Sequence, residues 1–218
     1  MDGKMMIRAY DGIYLEDAMQ NFAVMMDYGA QICPGGMDGF YDRLLASNAI
    51  RQFESGNPRY LAGMSGIELA NEVICASGED YGTVTYILGS RSDIFWTGWS
   101  SAYLQWHVGT SFENLRRWGL PAGEIRRMYP AFHEADLSKF LEAALDIIEN
   151  NRSKAANRLK HQRKLAGLTQ RELAERSGVS LRMIQAYEQF GQDIAKAEAG
   201  SLLNLASVLG CEPATLLN

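Results

Sequence analysis

The chain has 218 residues, of which 47% are hydrophobic and 22% charged, and its net charge is −5. These proportions fit a soluble globular protein and argue against a disordered or fibrous one. No apolar run approaches the roughly 20 residues of a membrane span, and no signal peptide opens the chain. Cys33, Cys75 and Cys211 are odd in number and far apart, so they are expected as reduced thiols in a cytoplasm and not as a disulfide frame or zinc site.

Along the first part of the chain the pattern is helical. Met19, Phe22, Ala23, Met26 and Ala30 recur at helical spacing, which predicts an amphipathic helix over about 15–30. Cys33-Pro34-Gly35-Gly36 ends it, and Asp38 is placed to cap a helix carrying Phe40, Leu44 and Leu45. A shorter helix around Ala49–Phe53 comes next, and Gly56-Asn57-Pro58 breaks the chain. Ser65 and Glu68 have the spacing of a capping box, opening a helix that runs through Leu69, Val73 and Ile74 to Gly78. Thr83-Val84-Thr85-Tyr86-Ile87-Leu88 has the composition of a strand. With no convincing partner strand it is expected as a short strand or an extended connector.

From Asp93 to Val108 the chain is at its most aromatic, with Phe95, Trp96, Trp99, Tyr103 and Trp106. Phe95, Trp99, Ala102, Tyr103 and Trp106 share one helix face. That face suits either a core stripe, the favoured reading, or an aromatic cage for a ligand such as a cation. Further helices are predicted over Ser111–Trp118, Pro121–Phe132 and Asp136–Asn150. The last runs almost directly into a basic stretch, so the link to the C-terminal part of the chain is short or partly helical.

That basic stretch divides the chain by charge. Residues 1–150 carry eleven Lys and Arg against twenty Asp and Glu, a net of −9, whereas residues 151–218 carry ten against six, a net of +4. Arg152, Lys154, Arg158, Lys160, Arg163 and Lys164 precede any acid in the second part. Such a run is often only a solvated face, but beside a groove-reading motif it is better taken as a footprint for phosphates. The acidic first part should repel DNA and needs another role. Two domains are therefore expected, 1–150 and 151–218, each long enough for its own core.

The motif itself lies between Arg158 and Gly210. Thr169 and Glu172 form a second capping box that starts a helix at Gln170, expected to about residue 177. Ala174 is small where two helices must cross closely. Gly178 stands where the chain needs a left-handed residue, and Ser180 caps the next helix, expected over about 181–189. Leu173, Val179, Ile184 and Tyr187 supply the apolar faces that hold the pair together. An ordinary helical hairpin would not require turn, caps and apolar spacing to agree in this way.

In that order and spacing, residues 154–217 resemble the lambda-repressor and Cro-like helix-turn-helix family, also called xenobiotic-response-element-type regulators. The resemblance implies five helices. With the helical pattern of the first part, the fold expected is mainly all-α, a helical N-terminal domain with at most one short strand or extended connector ahead of the DNA-binding one. The resemblance has further consequences for single residues. It implies an architectural ion pair between Arg163 and Glu188. It also places Gln170, with Thr169 beside it, at a phosphate touched from a helix N-terminus. Leu181, Arg182, Gln185 and Ala186 fall on the face turned to the major groove. Arg182 is suited to guanine, Gln185 to adenine, and Leu181 or Ala186 to a thymine methyl. The alternative for Arg182 and Gln185 is contact with phosphate or water alone. Lys160 and Lys164 are further phosphate candidates. The loop from Gln189 to Lys196 is roughly four residues longer than the family pattern, which leaves Gln192 and Lys196 as weaker ones, with Phe190 and Ile194 pinning the loop.

Three segments, Gly56–Ala70, Trp96–Phe112 and the helix-turn-helix itself, resemble a family of Firmicutes regulators that pair a helical N-terminal region with this DNA-binding domain. That resemblance implies an antitoxin-like autoregulator whose first domain binds a toxin-like protein encoded by a neighbouring gene. A ligand-responsive regulator with a pocket at the aromatic helix is the second reading, and an enzyme tethered to a DNA-binding domain the third. No catalytic constellation supports the third. His107, His133 and His161 lack metal-ligand spacing, no phosphate-cradling glycine loop occurs, and His133-Glu134 beside Asp136 reads as a helix end. No cofactor and no metal are expected. The partners expected are double-stranded DNA and a second copy of the chain in a two-fold homodimer.

Overall fold

The computed structural model describes residues 8–78, 92–189 and 192–217, without the side chains of residues 153–157. Twelve α-helices are formed among them: α1 Leu15–Ile32, α2 Gly36–Ala46, α3 Asn48–Glu54, α4 Gly66–Ala76, α5 Asp93–Val108, α6 Phe112–Arg117, α7 Ala122–Phe132, α8 Leu137–Leu165, α9 Gln170–Ser177, α10 Leu181–Glu188, α11 Ala199–Leu209 and α12 Pro213–Leu217. Short 3-10 turns cover Gly12–Tyr14 and Ile194–Lys196, and one π-helical turn covers Arg59–Gly63. No strand occurs among the described residues. The strand-like stretch Thr83–Leu88 lies outside them, as does Phe190. No described helix is long and apolar enough to cross a membrane. The chain divides into two compact units, Met1–Ile147 and Ile148–Asn218.

The first unit is built around α1. Its buried residues, among them Met19, Phe22, Met25, Met26 and Tyr28, point in more directions than a single stripe allows. The helix is therefore enclosed by neighbours and not laid on a surface. It packs chiefly against α5, then α4 and α2. Glycines bring the axes close: a Cβ on Gly98 of α5 would stand 2.7 Å from Ala23 Cα, and one on Gly66 of α4 would stand 2.4 Å from the Asn21 carbonyl oxygen. Phe22 stacks on Phe112 at 4.6 Å between ring centroids and meets Phe53 at 5.1 Å. One aromatic cluster thus ties α1, α3 and α6 together.

Three expectations are corrected here. Asp38 does not cap α2. The N-cap is Gly35, at φ 85°, and Asp38 sits in the first turn, where its charge still favours the helix N-terminus. The helix expected to end near Asn150 continues to Leu165, because nothing between Asn150 and Leu165 is a helix breaker and the run is rich in Ala, Leu, Lys and Arg.

The third correction concerns α5. Its buried residues are Thr97, Gly98, Ser100, Ser101, Ala102, Leu104 and Gln105, while Phe95, Trp96, Trp99, Tyr103 and Trp106 are only half-buried. Close approach to α1 selects small side chains over large ones, so the aromatic stripe is displaced from the helix–helix contact. Trp96 meets Tyr129 and Phe140 edge-on, and Trp106 donates its indole N–H to the Tyr10 carbonyl at 2.9 Å with the Arg8 guanidinium 4.4 Å from its ring centroid. Phe95 and Trp99 pair at 6.3 Å, and Tyr103 pairs with Trp106 at 6.1 Å. The five aromatics thus serve separate contacts along the helix and do not converge on one cage.

The second unit has its own core. Leu159 of α8, Leu168, Leu173 of α9, Val179, Ile184 and Tyr187 of α10, Ile194, Leu205, Ala206 and Leu209 of α11, and Leu216 of α12 form one buried cluster. Five helices each contribute one face to it.

Candidate nucleic-acid interface

The helix-turn-helix is held by local bonds that its sequence dictates. Thr169 Oγ1 accepts from the Glu172 N–H at 3.2 Å, and the Glu172 carboxylate accepts from the Thr169 N–H and hydroxyl, each at 2.8 Å. Those hydrogen bonds hold the Glu172 carboxyl below its ordinary range. Gly178 closes α9 at φ 71°, and among the described residues nothing beyond its chain neighbours lies within 4 Å of where its Cβ would be. The requirement for glycine there is purely conformational. Ser177 bridges the turn, donating to the Leu173 carbonyl at 2.7 Å and accepting from the Val179 N–H at 3.2 Å. Ser180 Oγ then caps α10 by accepting from the Met183 N–H.

Behind this pair lies a buried ionic knot. Arg163 of α8 donates from Nε to Glu188 Oε1 at 2.7 Å and from Nη2 to Glu188 Oε2 at 2.9 Å, while its Nη1 reaches the Leu168 carbonyl at 2.7 Å. The Glu188 side chain is 2% exposed. Burial pushes its carboxyl up, but hydrogen bonds from Arg163 and Gln170 and the charges of Arg163 and Lys160 outweigh this and hold it below the ordinary range. The two parallel N–H bonds give the pair a fixed orientation, which a lysine would not supply.

Each candidate contact residue can now be placed. In α10, Ile184, Tyr187 and Glu188 are turned inward, whereas Arg182 is exposed and Leu181, Gln185 and Ala186 are half-buried. The last four follow i, i+1, i+4, i+5 spacing and so share the outer face. Gln189, the C-cap of α10, is exposed one turn beyond Gln185 on that face. It had no place among the sequence candidates, although its i+4 spacing from Gln185 was the available signal. Thr169, Lys160 and Lys164 are exposed, as are Gln192 and Lys196 in the loop after α10. Lys160 and Lys164 are one turn apart on α8, and Lys160 is near enough to Glu188 to lower its carboxyl. Ile194 is buried beneath the loop.

Gln170, expected to touch a phosphate, is half-buried at the start of α9. Its Nε2 donates to Glu188 Oε2 at 2.8 Å, so one amide hydrogen is already committed. Arg158, in the same basic run, is partly withdrawn from solvent, and its Nε has no hydrogen-bond partner among the described residues. Burial lowers its tendency to hold a proton.

Compared with known families, residues 159–216 match the family described as helix-turn-helix. No curated protein and no solved structure matches the chain. The matched residues contain the turn at Gly178, the knot at Arg163 and Glu188, and the exposed face of α10. The second unit is a helix-turn-helix DNA-binding domain of the kind found in transcription regulators.

Proposed function

We propose that the protein is a sequence-specific transcriptional repressor that lays α10 in the major groove of double-stranded DNA. One observation carries this reading: the exposed face of α10 presents Arg182, with Leu181, Gln185 and Ala186 beside it, on a helix whose opposite face is locked into the core. Arg182 is assigned to guanine and Gln185 to adenine, with Leu181 and Ala186 against thymine methyl groups. Gln170, Thr169, Lys160 and Lys164 contact phosphate, and Gln192 and Lys196 extend that contact from the loop. A two-fold homodimer then reads pseudo-palindromic half-sites about one helical turn apart.

The first unit, in this proposal, binds a protein encoded beside it in an antitoxin-like arrangement that represses its own operon. The support is the likeness of Gly56–Ala70 and Trp96–Phe112 to regulators so organised. A pocket for a small ligand is not favoured, since the aromatics of α5 are spread over separate contacts. DNA as the target fits a cytoplasmic protein.

The test is selection of duplexes from a random pool by the full chain at physiological salt. A two-fold symmetric motif should emerge, and Arg182→Ala should cost about 1–3 kcal/mol at one base position. Failure to enrich any motif would refute the sequence-specific reading. Native mass spectrometry of the chain coexpressed with its neighbouring genes tests the partner. A stoichiometric bound protein supports the antitoxin-like reading, and recovery of a homodimer alone counts against it.

A further inference from the structure

We propose that Glu188 is a positioning residue for DNA recognition, orienting the Gln170 amide toward a phosphate, in addition to pairing with Arg163. The inference rests on the DNA-binding reading above and concerns how the α9 N-terminus is prepared before DNA arrives.

The starting point is an excess of donors. A fork-to-fork pair between Arg163 and Glu188 needs two hydrogen bonds, and both are present at 2.7 and 2.9 Å. A third donor, Gln170 Nε2, reaches the same Oε2 atom at 2.8 Å. One carboxylate therefore joins α8, α9 and α10 at the point where α9 begins. Gln170 is the first residue of α9, directly after the Thr169 cap. A helix start leaves N–H groups without intrahelical partners and carries positive partial charge.

A solvent-exposed glutamine samples many rotamers, and fixing it on a ligand costs affinity. Here one amide hydrogen is held by a buried carboxylate, so the plane of the amide is set. Its second N–H and its carbonyl oxygen have no partner among the described residues. That second N–H is the group left to meet a phosphate. Glu188 is itself buried, so it acts on DNA through Gln170 and not by contact.

Charge makes the proposal testable by sign. A carboxylate with only an architectural role brings a negative charge near the phosphates, and Glu188→Gln would then leave affinity unchanged or raise it. Positioning predicts the opposite, because the neutral amide holds Gln170 less firmly and can present its own N–H to it instead of an acceptor.

The experiment measures full-chain affinity for the selected duplex in wild type, Glu188→Gln, Gln170→Ala and the double variant, at a temperature where thermal unfolding places all four in the folded state. Each single variant should bind about tenfold more weakly, the size of one hydrogen bond to a charged group. The double variant should bind no more weakly than Gln170→Ala alone, since the two residues act as one unit. Undiminished binding by Glu188→Gln, or losses that multiply in the double variant, would overturn the inference while leaving DNA recognition intact. A wild-type chain that selects no duplex would instead overturn the DNA-binding reading and this inference with it. If Glu188→Gln does not fold, nuclear magnetic resonance of the wild-type Gln170 side-chain amide decides the matter. Two well-separated proton signals are expected without DNA, the one held by Glu188 staying in place and the other moving when duplex is added. Free-glutamine shifts without DNA, or two signals that both ignore the duplex, would refute the positioning role.

Discussion

Arg163 and Glu188 form a pair in which either residue alone would be a liability. Arg163→Met removes the partner of a buried carboxylate and leaves Gln170 as its hydrogen-bond donor. Urea unfolding should place the second unit about 3–5 kcal/mol below wild type, most of it the penalty of the stranded charge. The same carboxylate has a pH signature. Its folded form ionises below the ordinary glutamate value of 4.5, so its contribution to stability is present above that value and is lost as pH falls through the folded pKa. Unfolding midpoints followed downward from pH 6 should decline below about pH 4.5. Arg163→Met should show a shallower decline, and an identical one would remove Glu188 as the cause. In sequence, the pair is implied by the family resemblance, in which Arg163 and Glu188 stand at a set spacing. Nothing in that spacing says that Gln170 bends its amide to the same oxygen, because side-chain direction at a helix start depends on which acceptor lies within reach.

Among the elements, those with capping boxes were the most legible. Ser65 with Glu68 and Thr169 with Glu172 each form both halves of the box, since the bonds span only three residues and need no tertiary partner. α5 was the least legible. Its periodicity was right for a helix from Asp93 to Val108, yet the stripe of large side chains gives no sign that Thr97, Gly98 and Ser101 are the buried residues. Burial in this helix is governed by closeness of approach more than by hydrophobicity. A sequence contains no signal for closeness until the partner helix is known. Gly98→Ala tests this contact directly. The added methyl would meet Ala23 Cα at 2.7 Å, and backbone atoms cannot swing aside as a side-chain tip can. Despite the better helix propensity of alanine, thermal unfolding of the first unit should register a loss of about 1–3 kcal/mol. A stabilised variant would mean that α1 and α5 separate at little cost.

For the whole molecule, the helical class was legible because helical periodicity recurs from Met19 to Leu216, and the charge contrast between residues 1–150 and 151–218 can be counted directly. Charge also sets the last prediction. Duplex DNA holds condensed counterions, and each lysine that neutralises a phosphate releases them, so affinity falls with salt in proportion to such contacts. Lys160 and Lys164 are exposed one turn apart on α8, and Lys160 lies close enough to the Glu188 knot for its charge to be felt there. If that flank meets the phosphates, Lys160→Ala should weaken every duplex alike and lower the slope of log affinity against log salt by about 1. Arg182→Ala should instead change preference at one base pair, because its contribution is to a base edge. Measuring both variants from 50 to 200 mM salt, roughly the range over which such contacts are lost, separates the two roles. An unchanged slope for Lys160→Ala would move the phosphate contacts off this face of α8. The net charge of +4 would then have to act through the other exposed bases of the second unit, Arg171 and Arg176 on α9 among them.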